Sequence, residues 1–148
     1  LQVPEAITTR NGLMTRISPG PAKVLGEVKH GRLYLDGDIL ISSGDGTVQD
    51  RRKLAFAGAV FISLVLDGQG EVRGEPQASI HGLPPEDNLG DTFEDIALDA
   101  VDDALAKLPM KRRGDDDAVA EVVRRAVRGS IRREWGKKAQ VSVVVTRI

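Results

Sequence analysis

The chain has no cysteine, two histidines and few aromatic residues, and each scarcity excludes a class of protein. Without cysteine there is no disulfide framework and no cysteine-ligated zinc site. Because only 3% of the residues are aromatic, the core must be built from Val, Ile, Leu and Ala. No apolar run approaches the ~18–20 residues that span a membrane. The N-terminal segment also lacks the basic start and apolar core of a targeting peptide.

The length of 148 residues suits one domain, or one domain with part of another. A net charge of −1 gives the whole chain no bulk preference for polyanions. The sequence starts at Leu1 and not at an initiator methionine. We therefore expect a fragment or processed piece of a longer cytoplasmic protein.

Residues 1–46 are rich in turn sequences and predict short β-hairpins. Asn11-Gly12 lies between residues 7–10 and 13–17, which predicts a hairpin closed by a type I′ turn. A second strand pair is predicted from residues 24–28 and 32–35, around a turn at 30–31. Further turns are predicted at residues 36–38 and 42–46.

Residues 47–148 predict a compact unit in the order β-β-α-α-β. Apolar residues recur in steps of three and four over two stretches, which predicts two helices. Asp115 can cap the second helix, Gly136 can end it, and Pro109 stops the first. The predicted bounds are strands at 57–66, 72–80 and 140–148 and helices at 92–108 and 116–135. The fold class is therefore α+β, a small three-stranded sheet with two helices on one face, preceded by a β-hairpin-rich segment.

The first strand of this unit is apolar on both sides. One side carries Val60, Ile62, Leu64 and Leu66, and the other carries Ala59, Phe61 and Val65. A sheet with one solvated face needs only one apolar side. The second side must therefore be covered by a partner subunit, by residues 1–46 or by a missing domain. We assign Val60, Ile62, Leu64 and Leu66 to a subunit or domain interface.

Charge is segregated along the chain. Residues 86–106 carry eight acidic side chains and no basic one, whereas residues 107–138 carry eleven basic and five acidic side chains. Arg124, Arg128 and Arg132 recur every four residues, so they share one side of the second helix. This row, extended by Lys137 and Lys138, predicts either a face that contacts RNA phosphates or a solvated face paired with the acidic helix or another subunit. No aromatic residue interleaves with it, so base stacking has no platform in the sequence.

No set of residues has the spacing of a catalytic or metal site. His30 and His81 lie in predicted turns and have no histidine partner at ligand spacing. Asp36-Gly37-Asp38 starts like a calcium loop, but Thr47 stands where the closing Glu should be. There is no Gly-x-Ser-x-Gly nucleophile elbow. We predict no catalytic residue, no metal ligand and no cofactor in this segment.

Several segments resemble the C-terminal end of ribonuclease J in its α-proteobacterial form. They are residues 4–17 with Arg10-Asn11-Gly12-Leu13-Met14, residues 31–37, residues 50–67, and Trp135-Gly136-Lys137-Lys138 before residues 141–148. The resemblance implies a parent enzyme with a metallo-β-lactamase domain, an inserted β-CASP domain and a small C-terminal α/β domain. Such an enzyme is a zinc-dependent ribonuclease that degrades RNA from the 5′ end and also cuts internally.

The family's metal motif, His-x-His-x-Asp-His, does not occur in this chain, so no catalytic residue carries over. Residues 1–46 would be the tail of the metallo-β-lactamase domain with a linker, and residues 47–148 the C-terminal domain. Zinc is expected in the missing catalytic domain. The expected partners are the catalytic domains of the same protein and further copies in a homo-oligomer, with no membrane. The alternative is an independent RNA-binding module that uses the arginine row.

Overall fold

The computed structural model describes residue 3 and residues 5–148. The chain folds into two compact units, and Gln49–Ile148 is the larger of them. Each unit is described by itself. Residue 4, at the start of the first segment that resembles ribonuclease J, lies outside the described residues.

The first unit contains two separate antiparallel strand pairs. Strand β1 (Leu13–Arg16) pairs with β2 (Lys23–Glu27), and the bond from Val28 N to Gly12 O, 2.7 Å long, closes this pair. Strand β3 (Leu33–Asp36) pairs with β4 (Ile39–Ser42) across the predicted turn at residues 36–38.

Both strand pairings predicted for this unit are wrong, because the strands pair with other segments. Residues 7–10 form no strand, and Gly12 has a positive φ of 87° while no described non-glycine residue does. A type I′ turn needs positive φ at both central positions, so Asn11-Gly12 cannot form one. Residues 24–28 and 32–35 do not pair with each other, because β2 pairs with β1 and β3 pairs with β4.

The second unit is a mixed three-stranded sheet with helices. Strand β5 (Ala59–Leu66) lies at the centre, antiparallel to β6 (Gln77–His81) and parallel to β7 (Gln140–Arg147). A short 3₁₀ turn, Met110–Arg112, links the last two helices. The elements, in chain order, are α1 (Gly46–Ala57), β5 (Ala59–Leu66), β6 (Gln77–His81), α2 (Phe93–Lys107), α3 (Asp116–Trp135) and β7 (Gln140–Arg147). The predicted α+β class and the order β-β-α-α-β after α1 are confirmed.

Helix α1 lies outside the predicted order, in which residues 47–148 begin with a strand at residue 57. The carboxylate of Asp45 accepts a bond from Thr47 N at 2.8 Å, which caps the start of the helix. Of its residues only Ala57 is buried. A helix without a buried face has no apolar periodicity, and periodicity was the signal on which the other helices were predicted.

Both long helices are capped, and the caps of α3 are those predicted from the sequence. The Thr92 hydroxyl accepts from Asp95 N at 3.1 Å, and the Asp115 carboxylate accepts from Asp117 N and Ala118 N. Gly136 ends α3 with a φ of 80°, and its N–H donates to Arg132 O.

The core of the second unit lies between the sheet and one helical layer. The side chains of Val60, Ile62, Leu64 and Leu66 are at most 1% exposed, and they point toward α2 and α3. From α3 the buried stripe is Val119, Val123, Val127 and Ile131. Burial of side chains of this size contributes about 1.5–3 kcal/mol each. This packing fixes which side of α3 is left to face away from the core.

Candidate functional site

The arginine row of α3 borders an open groove on the side away from the core. Because the valine stripe of α3 is buried, the arginines that lie between those positions point outward. The groove has a volume of about 420 Å³ and is lined by Glu121, Arg124, Arg125, Arg128, Gly129, Arg132 and Lys138. The structure thus places Lys138 beside the arginine row.

The charges in this groove are only partly neutralised. Glu121 forms ion pairs with Arg124 and, at 3.2 Å, with Arg125. Arg128, Arg132 and Lys138 form no ion pair within residues 5–148. Three positive charges at one end of the groove therefore have no protein counter-charge in the part of the chain that the structure describes.

The acidic helix α2 faces a different side of α3. The cavity between these helices is lined by Asp103 together with Arg125 and Arg133, and neither Arg128 nor Arg132 borders it. Among residues 5–148, the ion pair of α2 is internal, between Lys107 and Asp103 at 3.1 Å. The acidic side chains of α2 therefore do not neutralise the arginine row.

A second groove continues from the first, with Arg132 and Lys138 in both linings. Its volume is about 420 Å³, and it is lined by Lys53, Phe56, Ala57, Arg132, Gly136, Lys137, Lys138 and Gln140. The Lys137 ammonium lies 4.7 Å from the ring centroids of both Phe56 and Trp135, and it donates to Phe56 O at 3.1 Å. The expectation that no aromatic residue accompanies the basic row is therefore corrected. Phe56 reaches it from α1, far away in the sequence.

The outer face of the sheet carries the second candidate surface. Phe61 is 49% exposed and Val144 is 59% exposed, with Val65 half-buried near them. Polar residues such as Ser79 and Ser142 surround these apolar side chains. Because Val60, Ile62, Leu64 and Leu66 fill the core of this chain, they are not accessible to a partner. The face left for an interface is the opposite one.

Comparison with known proteins identifies the family of the chain. The family model of the ribonuclease J C-terminal domain matches residues 46–148. The chain belongs to this family. Ribonuclease J of Sinorhizobium meliloti (strain Sm2011 / Rm2011 / 2011) is 41% identical over 146 residues, which are 99% of this chain and 26% of that protein. The chain thus spans about a quarter of the length of this curated relative, and the resemblance inferred from sequence is confirmed.

In residues 5–148, no group of three or more His, Asp and Glu side chains is arranged to hold a metal ion. His81 contacts Ser79 Oγ at 3.0 Å and the edge of the Phe61 ring. His30 borders a small groove of the first unit beside Arg10 and Glu27. No helix among these residues is long and apolar enough to cross a membrane.

Asp45 and Asp67 have perturbed pKa values, and both belong to turns. The hydroxyl and backbone N–H of Thr47 lower the pKa of Asp45. The backbone N–H groups of Glu71 and Gln69, with the Arg73 guanidinium, lower the pKa of Asp67. Hydrogen bonds to the ionised form cause both shifts. Neither carboxylate borders the basic grooves, so the shifts reflect local structure and not a reactive site.

Proposed function

We propose that this chain is the non-catalytic C-terminal region of a ribonuclease J-like, zinc-dependent 5′–3′ exo- and endoribonuclease of the cytoplasm. Residues 1–46 would be the tail of the metallo-β-lactamase domain with a linker, and residues 47–148 the C-terminal domain. The role of the region is to hold subunits together and to support the catalytic domains on RNA. Zinc belongs to the catalytic domain of the parent enzyme.

The observation that carries this proposal is the outer face of the sheet. Phe61 lies on the central strand β5 and Val144 on its parallel neighbour β7, so both side chains project from the side opposite the helices. An exposed apolar patch with a polar rim is typical of a protein–protein contact. The chain belongs to a family that includes a much longer ribonuclease. The other domains of such an enzyme would supply a partner for this face.

The strand pair β3–β4 supports the same proposal independently. Its large apolar side chains are mostly exposed, at 66–73%; they are Leu33, Leu35, Ile39 and Leu40. A two-stranded hairpin alone is marginally stable in water. A hairpin of this composition requires a further surface to bury its side chains, and the parent enzyme's catalytic domain would provide it.

Sedimentation velocity on the full chain tests the assembly role. The wild type should self-associate, or bind the separately produced catalytic part. The double variant Phe61→Ser/Val144→Ser should lose that association, because it removes the patch without touching the core. Leu89→Ser removes a side chain that is 84% exposed on a loop and serves as the matched control. A wild-type chain that is cleanly monomeric and has no affinity for the catalytic part refutes the proposal.

A second candidate function is RNA binding through the arginine row. Three groups in the first groove, Arg128, Arg132 and Lys138, have no counter-charge among the described residues, which favours an anionic ligand there. Helix geometry places Arg128 and Arg132 about 6 Å apart along the axis. Phosphates of a single strand can follow such a row without a base-specific contact.

Salt dependence of binding tests this second candidate. Three phosphate contacts to single-stranded RNA predict a slope of about −2 for log K against log salt concentration. The triple variant Arg128→Ala/Arg132→Ala/Lys138→Ala should abolish most of this slope. Arg133→Ala removes a charge from the α2–α3 cavity on another side of the helix, so it should leave the slope unchanged. Undetectable binding at low salt, or binding unaffected by the triple variant, excludes the arginine row as an RNA site.

A further inference from the structure

The two basic grooves form one continuous surface because they share Arg132 and Lys138. The first groove offers guanidinium and ammonium groups. The second adds the ring of Phe56, which projects from the end of α1. A surface that presents cations and then an aromatic ring has the two components with which proteins bind single-stranded nucleic acid.

Phe56 keeps most of its surface exposed although Lys137 contacts its ring. The Lys137 ammonium covers one face at 4.7 Å from the centroid, yet the residue is 67% exposed. The remaining exposure must therefore come from the opposite face and the ring edge. Such a face is available to a flat ligand that stacks on it.

The ring is also held in place. Lys137 bridges Phe56 and Trp135 with its ammonium and donates to the backbone carbonyl of Phe56 at 3.1 Å. Trp135 in turn packs against Phe93, with 6.2 Å between the ring centroids. These contacts connect the end of α1 to the turn after α3. A platform that is fixed before binding costs less entropy when the ligand arrives.

We propose that Phe56 is a base-stacking subsite for single-stranded RNA, and that Arg128, Arg132 and Lys138 hold the phosphates of the adjoining nucleotides. This inference rests on the second candidate function and specifies its ligand. Stacking requires an unpaired base, so the surface selects single strands over duplexes. It is tolerant of sequence, since every base has a π face.

Fluorescence anisotropy with the full chain and a labelled oligouridine tests the subsite. Phe56→Leu keeps an apolar side chain but removes the ring, so affinity should fall about 5- to 150-fold, the range expected for loss of one base–aromatic stack. The salt slope should not change in this variant because no phosphate contact is lost. Phe56→Trp should restore affinity. Tyr34→Leu, which removes a ring from strand β3, should bind like the wild type.

The outcomes separate this inference from the function on which it rests. If the wild type binds no RNA at low salt, the arginine row and the subsite both fail. If binding depends on Arg128 and Arg132 but Phe56→Leu binds as tightly as the wild type, the subsite alone is refuted. Equal affinity for a duplex of the same length also refutes it. A blunt-ended RNA duplex is therefore measured beside the single strand for each variant.

Discussion

Gly58 joins helix α1 to the central strand β5, and its replacement by alanine should destabilise the second unit strongly. Its N–H donates to Leu54 O at 2.8 Å, and its carbonyl accepts from Gln140 N at 3.0 Å. A Cβ atom at this position would lie 2.5 Å from the backbone oxygen of His81 and 2.6 Å from Leu83 Cδ1. Those distances are below van der Waals contact, and one of the two atoms belongs to the backbone of β6.

The loss of stability expected for Gly58→Ala is the sum of a backbone cost and a steric cost. Gly58 has a φ of 61°, and an L-residue in the left-handed region costs about 1–2 kcal/mol. The shifts of neighbouring atoms that would relieve the contact with β6 lower stability by about 1–3 kcal/mol more, as at other overpacked sites. Gly58→Ala should therefore lower the free energy of unfolding by about 2–5 kcal/mol.

Gly136 provides a matched control, because it shares the backbone cost without the steric one. Its φ is 80°, and an added Cβ would meet no atom within 4 Å. Gly136→Ala should therefore cost only about 1–2 kcal/mol. The difference between the two variants isolates the contact with His81 and Leu83.

Urea unfolding followed by tryptophan fluorescence measures both variants. Trp135 is the only tryptophan of the chain and contacts Phe93, so its emission reports on the second unit. With a slope of about 1–3 kcal/mol per molar urea, the two midpoints should differ by roughly 1 M. Midpoints that coincide for Gly58→Ala and Gly136→Ala would refute the steric cost assigned to the contact with His81 and Leu83.

Two further predictions concern the turns at the opposite end of the sheet. Arg147 donates to Asp67 O at 2.8 Å, to Arg113 O and to the Asp116 carboxylate. Arg147→Ala should cost about 1–3 kcal/mol in the same urea assay, because the Arg113 carbonyl loses its donor while Asp67 O keeps the bond from Gly70 N at 3.0 Å. A midpoint equal to that of the wild type would contradict this prediction. Asp67 has a pKa lowered from 3.8, so its stabilising effect is present above that pH and is lost as pH falls through the lower folded pKa. Unfolding midpoints from pH 5 downward should therefore fall less steeply for Asp67→Asn than for the wild type, and equal steepness would count against the assigned bonds.

The elements that the sequence predicted well are those whose signals are local. Helix α3 was predicted at its observed bounds because an aspartate cap, a four-residue valine period and a glycine stop all coincide. Helix α1 has the same kinds of cap and stop, at Asp45 and Gly58, but no buried stripe. An element with one face in the core shows periodicity, and an element that is almost wholly exposed does not.

The partners of the hairpin strands and half of the candidate site could not be predicted in this way. Residues 24–28 have extended character in sequence, yet nothing local specifies that β1 is their complement. The arginine row is visible in the sequence because it follows a helical period. Phe56 joins it through Lys137, 81 positions further along the chain. Contacts over such separations depend on the tertiary fold, which a single sequence does not reveal.

The position of β5 between β6 and β7 has a kinetic consequence. Its antiparallel pairing with β6 closes a short loop, but Ala59 meets Gln140 only after both long helices have been traversed. Non-local pairings of this kind slow folding, because chain entropy is lost before their contacts form. The unit should therefore fold through a species in which β5, β6 and the helices have associated while one edge of β5 is still open. That edge is where a neighbouring chain could insert a strand during synthesis, so the rate at which β7 docks would govern the yield of correctly folded protein.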